Sequence, residues 1–303
     1  MQDPNWALAR KRETLAQRAR IVQAIRAFFV AQKFLEVETP QRIPGNAPEP
    51  HIDAVPSGDW WLHTSPELAM KRLLAAGYAY LFQICRVWRE SERGGRHLPE
   101  FTLLEWYRVD SDYRTLMSDC ESLLATLIPD GKLIWQGQRI DFRPPWRRLT
   151  VAEAFDQYAS QSMHEALEQD SFDELLVNEI EPALGMDPVF LYDYPLEHAA
   201  LAKTRQDNPR VAERFELYVA GVELANAFSE LCDPKEQRAR FARDEQLRRE
   251  AGKAAIPLPE KFLDEVGQLN AAAGIALGID RLVMLLCDCT TLDEVVAFTP
   301  EML

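Results

Sequence analysis

The sequence predicts an α+β protein whose mainly antiparallel sheet is flanked by helices. Three observations support this fold class. Residues 81–88 and 101–109 are rich in β-forming side chains and are separated by a charged loop. Residues 215–228 have the pattern of a second hairpin. Residues 7–33 and 234–251 have the apolar spacing or charge pattern of helices.

The composition is that of a globular protein. The chain has 303 residues, of which 47% are hydrophobic and 27% charged, and its net charge is −14. This charge argues against nucleic-acid binding as the main task, although a local basic patch is compatible with it. No apolar run reaches the ~18 residues of a membrane helix, and residues 1–6 lack a signal pattern. With five scattered cysteines, expected to be reduced thiols, we expect a cytoplasmic protein.

The remaining elements follow in chain order. Residues 34–40 alternate apolar and polar side chains and form a strand that Pro40 ends. Residues 66–76 form a helix. Residues 112–185 are acidic and mostly helical and could form a helical insertion. Residues 274–279 form a glycine-spaced strand that runs into a helix at Asp280.

One face of the strand at 101–109 carries an unusual set of side chains. Alternate residues of a strand share a face, so Phe101, Leu103, Glu105 and Tyr107 line one side. An aromatic ring, a carboxylate and a phenol together make a plausible cleft floor. The alternative is a half-buried strand with two aromatic residues in a core.

The loop before this strand concentrates positive charge in an acidic protein. Its basic residues, with one from the preceding strand, are Arg86, Arg89, Arg93, Arg96 and His97. Such a loop could hold a polyphosphate. The alternative is a solvated turn with local Arg–Glu pairs.

The hairpin at 215–228 brings two carboxylates together. With Ala220-Gly221 as a two-residue turn, Val219 opposes Val222, Tyr218 opposes Glu223, and Glu216 opposes Ala225. Glu216 and Glu223 are then diagonal neighbours with Cβ atoms roughly 7 Å apart. Such a pair can share Mg²⁺ through oxygen ligands and waters. An exposed acidic sheet face is the alternative.

The strand from Gly274 to Gly278 leads to Arg281 at a helix N-terminus, where backbone amides favour phosphate. A packing role for these glycines is at least as plausible on spacing alone. Together, the arginine loop, the carboxylate pair and the glycine strand predict a site for a nucleoside triphosphate with Mg²⁺. The sequence has neither a P-loop nor a kinase signature.

These segments resemble the three motifs of class II aminoacyl-tRNA synthetases. Residues 34–40 are similar to motif 1, residues 82–107 to motif 2 and residues 274–281 to motif 3. Residues 64–73 and 223–231 narrow the resemblance to the lysyl-tRNA synthetase branch. The resemblance implies a class II synthetase-like catalytic domain that uses ATP and Mg²⁺.

We expect a single such domain over residues 1–303, without an anticodon-binding domain, because motif 1 already ends at Pro40. A stand-alone domain of this kind resembles the elongation factor P lysine ligases. That family activates (R)-β-lysine as an aminoacyl-adenylate and attaches it to a lysine of elongation factor P. The resemblance implies elongation factor P as partner, lysine or (R)-β-lysine as substrate, and a homodimer; tRNA is not expected as a partner.

The resemblance also implies roles for individual residues. Arg89 and Arg281 would be catalytic, holding the α- and γ-phosphates of ATP, and Phe101 would stack on adenine. The remaining residues of the implied ATP site are Glu90, Ser91, Glu92, Leu98, Glu223, Leu224 and Gly278. The implied amino-acid pocket comprises Ser65, Pro66, Glu67, Tyr107, Asn226, Glu230 and Ala276. Glu216 and Glu223 would bind Mg²⁺.

Three positions depart from the branch's usual pattern. Either Glu90 or Glu92 could face ATP, and we favour Glu92. Leu98 replaces an asparagine, so its contact with the nucleotide must be apolar or through the backbone. Ala276 replaces a glycine, and we hypothesise that its methyl group crowds the α-amine of lysine and favours the shifted amine of β-lysine.

Two other functions remain open at this point. One is a truncated lysyl-tRNA synthetase paralogue that charges tRNA. The other is a catalytically silent regulatory paralogue, against which the intact Arg89, Glu216, Glu223 and Arg281 argue. The cationic face at 234–253 is either a docking surface for an acidic partner or a solvated helix.

Overall fold

The computed structural model describes residues 6–303. Residues 1–5 lie outside the described part. They are most of the segment that was expected to lack a signal pattern. No helix within residues 6–303 is long and apolar enough to cross a bilayer.

One large sheet organises the chain. The strands are β1 (Leu35–Glu36), β2 (Arg42–Ile43), β3 (Pro56–Ser57), β4 (Trp60–Leu62), β5 (Tyr80–Trp88), β6 (Glu100–Val109), β7 (Lys132–Trp135), β8 (Gln138–Asp141), β9 (Arg147–Thr150), β10 (Val189–Pro195), β11 (Val211–Val219), β12 (Val222–Ser229) and β13 (Ala272–Gly278). Eight of them form a sheet in the order β1-β5-β6-β13-β12-β11-β10-β9, in which only the two outermost pairings are parallel. The strands β2-β4-β3 form a small sheet, and β7-β8 form a hairpin.

Helices cover both sides of the large sheet. They are α1 (Trp6–Arg10), α2 (Arg12–Ala31), α3 (Glu67–Ala75), α4 (Tyr113–Leu127), α5 (Val151–Tyr158), α6 (Met163–Glu168), α7 (Phe172–Leu175), α8 (Glu181–Ala183), α9 (Pro234–Glu250), α10 (Glu260–Glu265) and α11 (Ile279–Leu286). A π-helical turn, Leu176–Ile180, joins α7 to α8. Short 3₁₀ turns occupy Leu196–His198, Val266–Gln268, Leu292–Glu294 and Pro300–Met302.

The two faces of the central strands have different surroundings. Leu104 and Trp106 on β6, with Ile275 and Leu277 on β13, join the main hydrophobic core. That core also contains buried residues of α2, α4 and α11, so these helices cover one face of the sheet. The alternate residues of the same strands face the opposite way and are available to form a site. The predicted α+β class with a mainly antiparallel sheet is confirmed.

The predicted strand at 34–40 is shorter in the structure. Only Leu35–Glu36 is a strand, paired in parallel with Leu81 and Phe82. The N–H of Val37 still donates to the carbonyl of Phe82 at 3.0 Å. The N–H of Thr39 donates instead to the side chain of Gln83 at 3.1 Å, so the backbone ladder ends before Pro40.

Residues 112–185 are not purely helical. They contain α4 to α8 but also three strands, β7, β8 and β9. Since β9 pairs with β10, this segment contributes an edge strand to the main sheet. The expected helical insertion is therefore partly β and continuous with the fold.

The hairpin of β11 and β12 has the expected turn but a different register. Ala220 and Gly221 both have positive φ angles, 52° and 66°, as the two central residues of a tight hairpin turn require. Val219 opposes Val222 and Tyr218 opposes Glu223, as predicted. An irregularity follows, so the prediction that Glu216 opposes Ala225 is wrong. Glu216 opposes Asn226, and Ala225 opposes Leu217.

A buried ion pair joins α2 to the first turn of α11. Nη1 of Arg18 lies 2.5 Å from Oδ1 of Asp280, whose side chain is 2% exposed. The backbone N–H of Thr102 on β6 donates to the other oxygen of Asp280 at 2.8 Å. This carboxylate therefore holds a helix, a helix start and a strand together directly behind the cleft.

We predict that Arg18→Ala lowers the free energy of unfolding by about 3 kcal/mol, because it leaves the buried Asp280 carboxylate without its counter-charge. Arg26→Ala on the same helix is the matched control. It removes an exposed pair with Glu36 and is expected to cost less than about 1 kcal/mol. Urea denaturation measures both, and equal losses in the two variants would contradict the prediction.

Candidate active site

A cleft opens on the face of the large sheet opposite the main core. Strands β6, β12 and β13 form its floor, and α3, the loop after β5 and the loop before β3 form its walls. Its lining includes Glu49, Ile52, Ser65, Glu67, Arg89, Glu92, Arg96, His97, Leu98, Phe101, Leu103, Glu105, Tyr107, Glu223, Leu224, Asn226, Gly274, Ala276, Gly278, Asp280 and Arg281.

Strand register fixes the floor of the cleft. Gly274 lies opposite Tyr107, Ala276 opposite Glu105, and Gly278 opposite Leu103. Directly opposed residues share a face of a sheet, so these pairs all look into the cleft. The face of β6 predicted from its alternation is therefore a cleft floor.

A buried ammonium group lies between two carboxylates at one end of the cleft. Lys71 of α3 forms ion pairs with Glu67, one turn earlier on the helix, and with Glu230, just after β12. Its side chain is 1% exposed. Burial alone would lower the pKa of Lys71, but the attraction of Glu230 and Glu67 outweighs it and raises the pKa. Lys71 therefore stays charged.

Glu105 is a third carboxylate at this end. It is buried, and it accepts hydrogen bonds from the hydroxyls of Ser65 at 2.6 Å and Tyr107 at 2.8 Å. Burial and the negative charge of Glu67 raise the pKa of Glu105 to about 8, although both hydrogen bonds oppose the shift. Burial likewise raises the pKa of Glu230 to about 8 against the effect of Lys71.

The three carboxylates Glu67, Glu105 and Glu230 thus share one internal ammonium group. Oε1 of Glu230 is buried and accepts no hydrogen bond from any described residue. Unmet buried carboxylate oxygens favour a cationic ligand, because a desolvated charge is stable only when it is paired. This end of the cleft suits a ligand with ammonium groups.

The other end of the cleft is cationic. The guanidinium of Arg89 lies 5.2 Å from the ring centroid of Phe101 and 3.8 Å from a carboxylate oxygen of Glu92. Its Nε is buried and has no hydrogen-bond partner among the described residues. A buried, unpartnered guanidinium N–H is suited to an anionic ligand such as a phosphate.

Arg281 is held in place beside the same space. Its Nη1 donates to the backbone carbonyl of Glu223 at 2.8 Å and to the Glu223 carboxylate at 3.1 Å. Its Nη2 lies 2.8 Å from Nε2 of His97. Gly278 packs next to it, since the three atoms nearest to an added Cβ would be side-chain atoms of Arg281 at 3.8–3.9 Å.

The two carboxylates expected to bind Mg²⁺ have different surroundings. Glu223 lines the cleft, whereas Glu216 does not. Glu216 accepts hydrogen bonds from Tyr194 at 2.6 Å and Tyr218 at 2.7 Å, and Arg214 lies 2.5 Å from its other oxygen. Burial raises the pKa of Glu216, and Arg214 opposes this shift. Glu223, although paired with Arg281, therefore faces the cleft, where it can contact a cation on a phosphate. Glu216 is engaged by three side chains outside the lining.

Most of the residues predicted for the site do line the cleft. Five do not: Pro66 is the buried residue before α3, Glu90 and Ser91 are exposed in the loop after β5, and Glu216 and Glu230 lie behind the lining. Since Glu92 lines the cleft and Glu90 does not, the structure favours Glu92 as the carboxylate facing a nucleotide.

Two charged residues were missed by the sequence interpretation. Lys71 follows Glu67 by four positions, the spacing of a helical ion pair, so its proximity to Glu67 was detectable. Glu49 lies in a loop between β2 and β3, and no local pattern signals that this loop reaches the cleft.

The fold and the site identify the family. The model of the family "tRNA synthetases class II (D, K and N)" matches residues 6–302, and the chain belongs to this family. The resemblance inferred from the motifs is confirmed.

Curated proteins with two different names are similar to the chain. The chain is 39% identical over 320 residues to an "Elongation factor P--(R)-beta-lysine ligase" of Mannheimia succiniciproducens, and the match covers 97% of each chain. A protein of the same name from Vibrio parahaemolyticus is 38% identical, covering 97% of this chain and 98% of the relative. A "Lysine--tRNA ligase" of Magnetococcus marinus is also 38% identical, but this chain spans 64% of its length.

We predict that Gly274→Ala damages the amino-acid end of the cleft. An added Cβ would overlap the ring of Tyr107 and lie 2.5 Å from Oε1 of Glu230. The KM for lysine in lysine-dependent ATP–pyrophosphate exchange should rise about 100-fold, because groups that contact the substrate are displaced. Gly94→Ala is the control, since the nearest heavy atom to its Cβ would be 3.9 Å away. An unchanged KM in Gly274→Ala would contradict the steric argument.

We also predict that lysine binding releases protons near neutral pH. The pKa of Glu105 is about 8 in the free protein, so its carboxyl is mostly protonated at about pH 7. An ammonium group favours the ionised form, so binding expels the proton, and the release declines above about pH 8. Titration calorimetry in buffers of different ionisation enthalpy measures it. Equal release by wild type and Glu105→Gln would exclude Glu105 as the source.

Proposed function

We propose that this protein is an ATP-dependent ligase that activates lysine or (R)-β-lysine and transfers it to a lysine side chain of elongation factor P. One observation carries the proposal. Among residues 6–303, a single cleft has buried carboxylates paired with Lys71 at one end and the unpartnered Nε of Arg89 at the other. This arrangement suits a molecule with amines at one end and a reacting carboxylate near a phosphate at the other.

In the first step the substrate carboxylate attacks the α-phosphorus of ATP, and pyrophosphate leaves. Arg89 would hold the α-phosphate, and Phe101 would stack on the adenine. Arg281, fixed by Glu223 and His97, would hold the γ-phosphate. Catalysis then depends on positioning and charge neutralisation, because the two guanidinium groups would hold the phosphates and balance their charge. No covalent enzyme intermediate is required.

Mg²⁺ fits this site as an ion carried mainly by the nucleotide. Glu223 faces the cleft and would hold it together with phosphate oxygens and waters, a common mode of Mg²⁺ binding in nucleotide sites. The ion would supply further neutralisation of phosphate charge. Glu216, engaged by Tyr194, Tyr218 and Arg214, would set the local negative charge and the geometry of β11.

In the second step the amine of a protein lysine attacks the activated carbonyl, and AMP leaves. Elongation factor P is proposed as the acceptor because relatives named "Elongation factor P--(R)-beta-lysine ligase" match the chain over nearly their full length. The match to a "Lysine--tRNA ligase" makes tRNA the competing acceptor. We further propose that the enzyme works as a homodimer in the cytoplasm.

The direct test is to incubate the protein with ATP, Mg²⁺ and either α-lysine or (R)-β-lysine, together with elongation factor P or tRNA. Intact-mass spectrometry then weighs the products. We expect elongation factor P to gain the mass of one lysyl or β-lysyl group. An acylated tRNA and an unmodified protein would favour the competing acceptor. Lysine-dependent pyrophosphate exchange without any acceptor excludes a silent paralogue.

We predict that Ala276→Gly increases activity with α-lysine. Ala276 opposes both Glu105 and Asn226 in the sheet, so its methyl group projects into the amino-acid end of the cleft. Removing it makes room for an α-amine and should raise kcat/KM for α-lysine about tenfold relative to (R)-β-lysine. Pyrophosphate exchange with each substrate measures the ratio, and an unchanged ratio would rule out the methyl group as the selective feature.

A further inference from the structure

Glu49 is a cleft carboxylate to which the motifs assign no role. It lies in the loop between β2 and β3 and lines the cleft together with Glu67 and Arg89. As a whole residue it is half-buried, and its carboxyl group is largely removed from solvent within the cleft. It lies outside the three segments that resemble synthetase motifs.

Every other carboxylate that lines the cleft has a partner. Glu67 pairs with Lys71, Glu92 with Arg89, Glu105 with Ser65 and Tyr107, Glu223 with Arg281, and Asp280 with Arg18. The structure gives the Glu49 carboxylate no hydrogen bond and no ion pair among residues 6–303; only its backbone is bonded. Glu49 is therefore the cleft carboxylate that is free to accept a proton from a ligand.

The loop that carries Glu49 is fixed in position. Nη1 of Arg248 donates to the backbone carbonyls of Glu49 and Ile52, each at 2.8 Å. Nζ of Lys253 donates to the carbonyl of Pro50 at 2.8 Å. The backbone N–H of Glu90 donates to the carbonyl of Asp53 at 2.7 Å, which ties the loop to the residue after Arg89. The positions of Glu49 and Arg89 are thus coupled through short backbone contacts.

The electrostatic surroundings of Glu49 suit proton exchange near neutral pH. Burial raises the pKa of its carboxyl to about 7, and the positive charge of Arg89 limits the rise. The other charged groups that face it are Glu67 of α3, Arg214 of β11 and Asp244 of α9, with Arg248 on its backbone carbonyl. A general base is most effective when its pKa lies near the working pH.

We infer that Glu49 is the general base of the transfer step, taking a proton from the ε-ammonium of the acceptor lysine. This inference rests on the proposed function. The resulting neutral amine attacks the carbonyl carbon of the aminoacyl-adenylate, the new C–N bond forms, and the bond from that carbon to the AMP oxygen breaks. The amine's second proton leaves as the amide forms and passes to AMP or water. The step therefore balances: the acceptor ammonium and the aminoacyl-adenylate give the amide, AMP and two protons.

Glu49 is better placed for this role than the other carboxylates with raised pKa values. Glu105 and Glu230 are 1% and 2% exposed, and both are engaged at the end assigned to the substrate's own amines. Glu49 lines the cleft together with Arg89, the arginine assigned to the α-phosphate, and Arg89 is the charge with the largest effect on its pKa. Because Glu49 lines the open cleft, an acceptor side chain that enters the cleft can reach it, and the proton can leave by the same route.

The test separates the two half-reactions in the Glu49→Gln variant. Lysine-dependent pyrophosphate exchange reports activation, and transfer to elongation factor P reports the second step. We expect exchange to be unchanged and transfer to fall about 100-fold. Wild-type transfer should rise with pH and level off above about 7 as Glu49 ionises. The variant should keep rising without levelling off, because only solvent then deprotonates an ammonium of pKa ~10.4. Glu38→Gln, an exposed change outside the cleft, is the matched control and should behave as wild type.

Hydroxylamine adds an acceptor that is already uncharged at neutral pH. It should consume the adenylate equally fast with wild type and Glu49→Gln, because no proton must be removed before attack. Equal losses of exchange and transfer would overturn the inference and make Glu49 a contact for the substrate. Unchanged transfer with an unchanged pH profile would overturn it as well. If wild type exchanges pyrophosphate but modifies no protein, the proposed acceptor fails and the base role fails with it.

Discussion

The burial of Glu105 and Glu230, together with the half-buried Glu67, around the ammonium of Lys71 is the constraint on which the site depends. Carboxylates removed from water are stable only as ion pairs, as hydrogen-bonded groups or in the protonated form. All three solutions occur here. Lys71 pairs with two of the groups, Ser65 and Tyr107 donate to the third, and raised pKa values keep protons bound. A cationic ligand balances the remaining negative charge, so this end of the cleft favours cationic ligands.

The sheet sets the positions of the side chains that form the site. The cross-strand pairing of β6 with β13 sets Tyr107 and Glu105 against small residues, so the polar side chains have space. Gly274 is essential to that arrangement, because a side chain there would overlap Tyr107. The strand β5 ends one residue before Arg89, and α11 begins two residues before Arg281, so both guanidinium groups lie next to or within rigid elements at the cationic end. The distance between amine pocket and phosphate site is thereby fixed by strand geometry.

The sequence predicted those parts of the molecule that depend on local patterns. Alternation along β6 identified the cleft face, and Ala220-Gly221 identified the hairpin turn, because both are properties of neighbouring residues. The register beyond that turn was not predictable, since the irregularity between Leu217 and Tyr218 leaves no periodic signal. The long acidic segment likewise concealed β9, whose four residues pair only with a distant strand.

The same distinction holds for the site. Lys71 could have been recognised as a partner of Glu67 from its helical spacing, but its ion pair with Glu230 depends on tertiary packing. The engagement of Glu216 depends on Tyr194 of β10, and the place of Glu49 depends on Arg248 of α9. These contacts join elements far apart in the chain. Only the structure reveals these contacts, and they changed the interpretation of two carboxylates, Glu216 and Glu49.

The most direct test of the central claim compares lysine with norleucine, which has the same carbon chain but lacks the terminal amine. Both are measured by amino-acid-dependent ATP–pyrophosphate exchange. If buried carboxylates select the substrate, kcat/KM for norleucine should be about 10⁴-fold lower, because it leaves them unpaired. Comparable exchange with both amino acids would show that these carboxylates do not govern recognition.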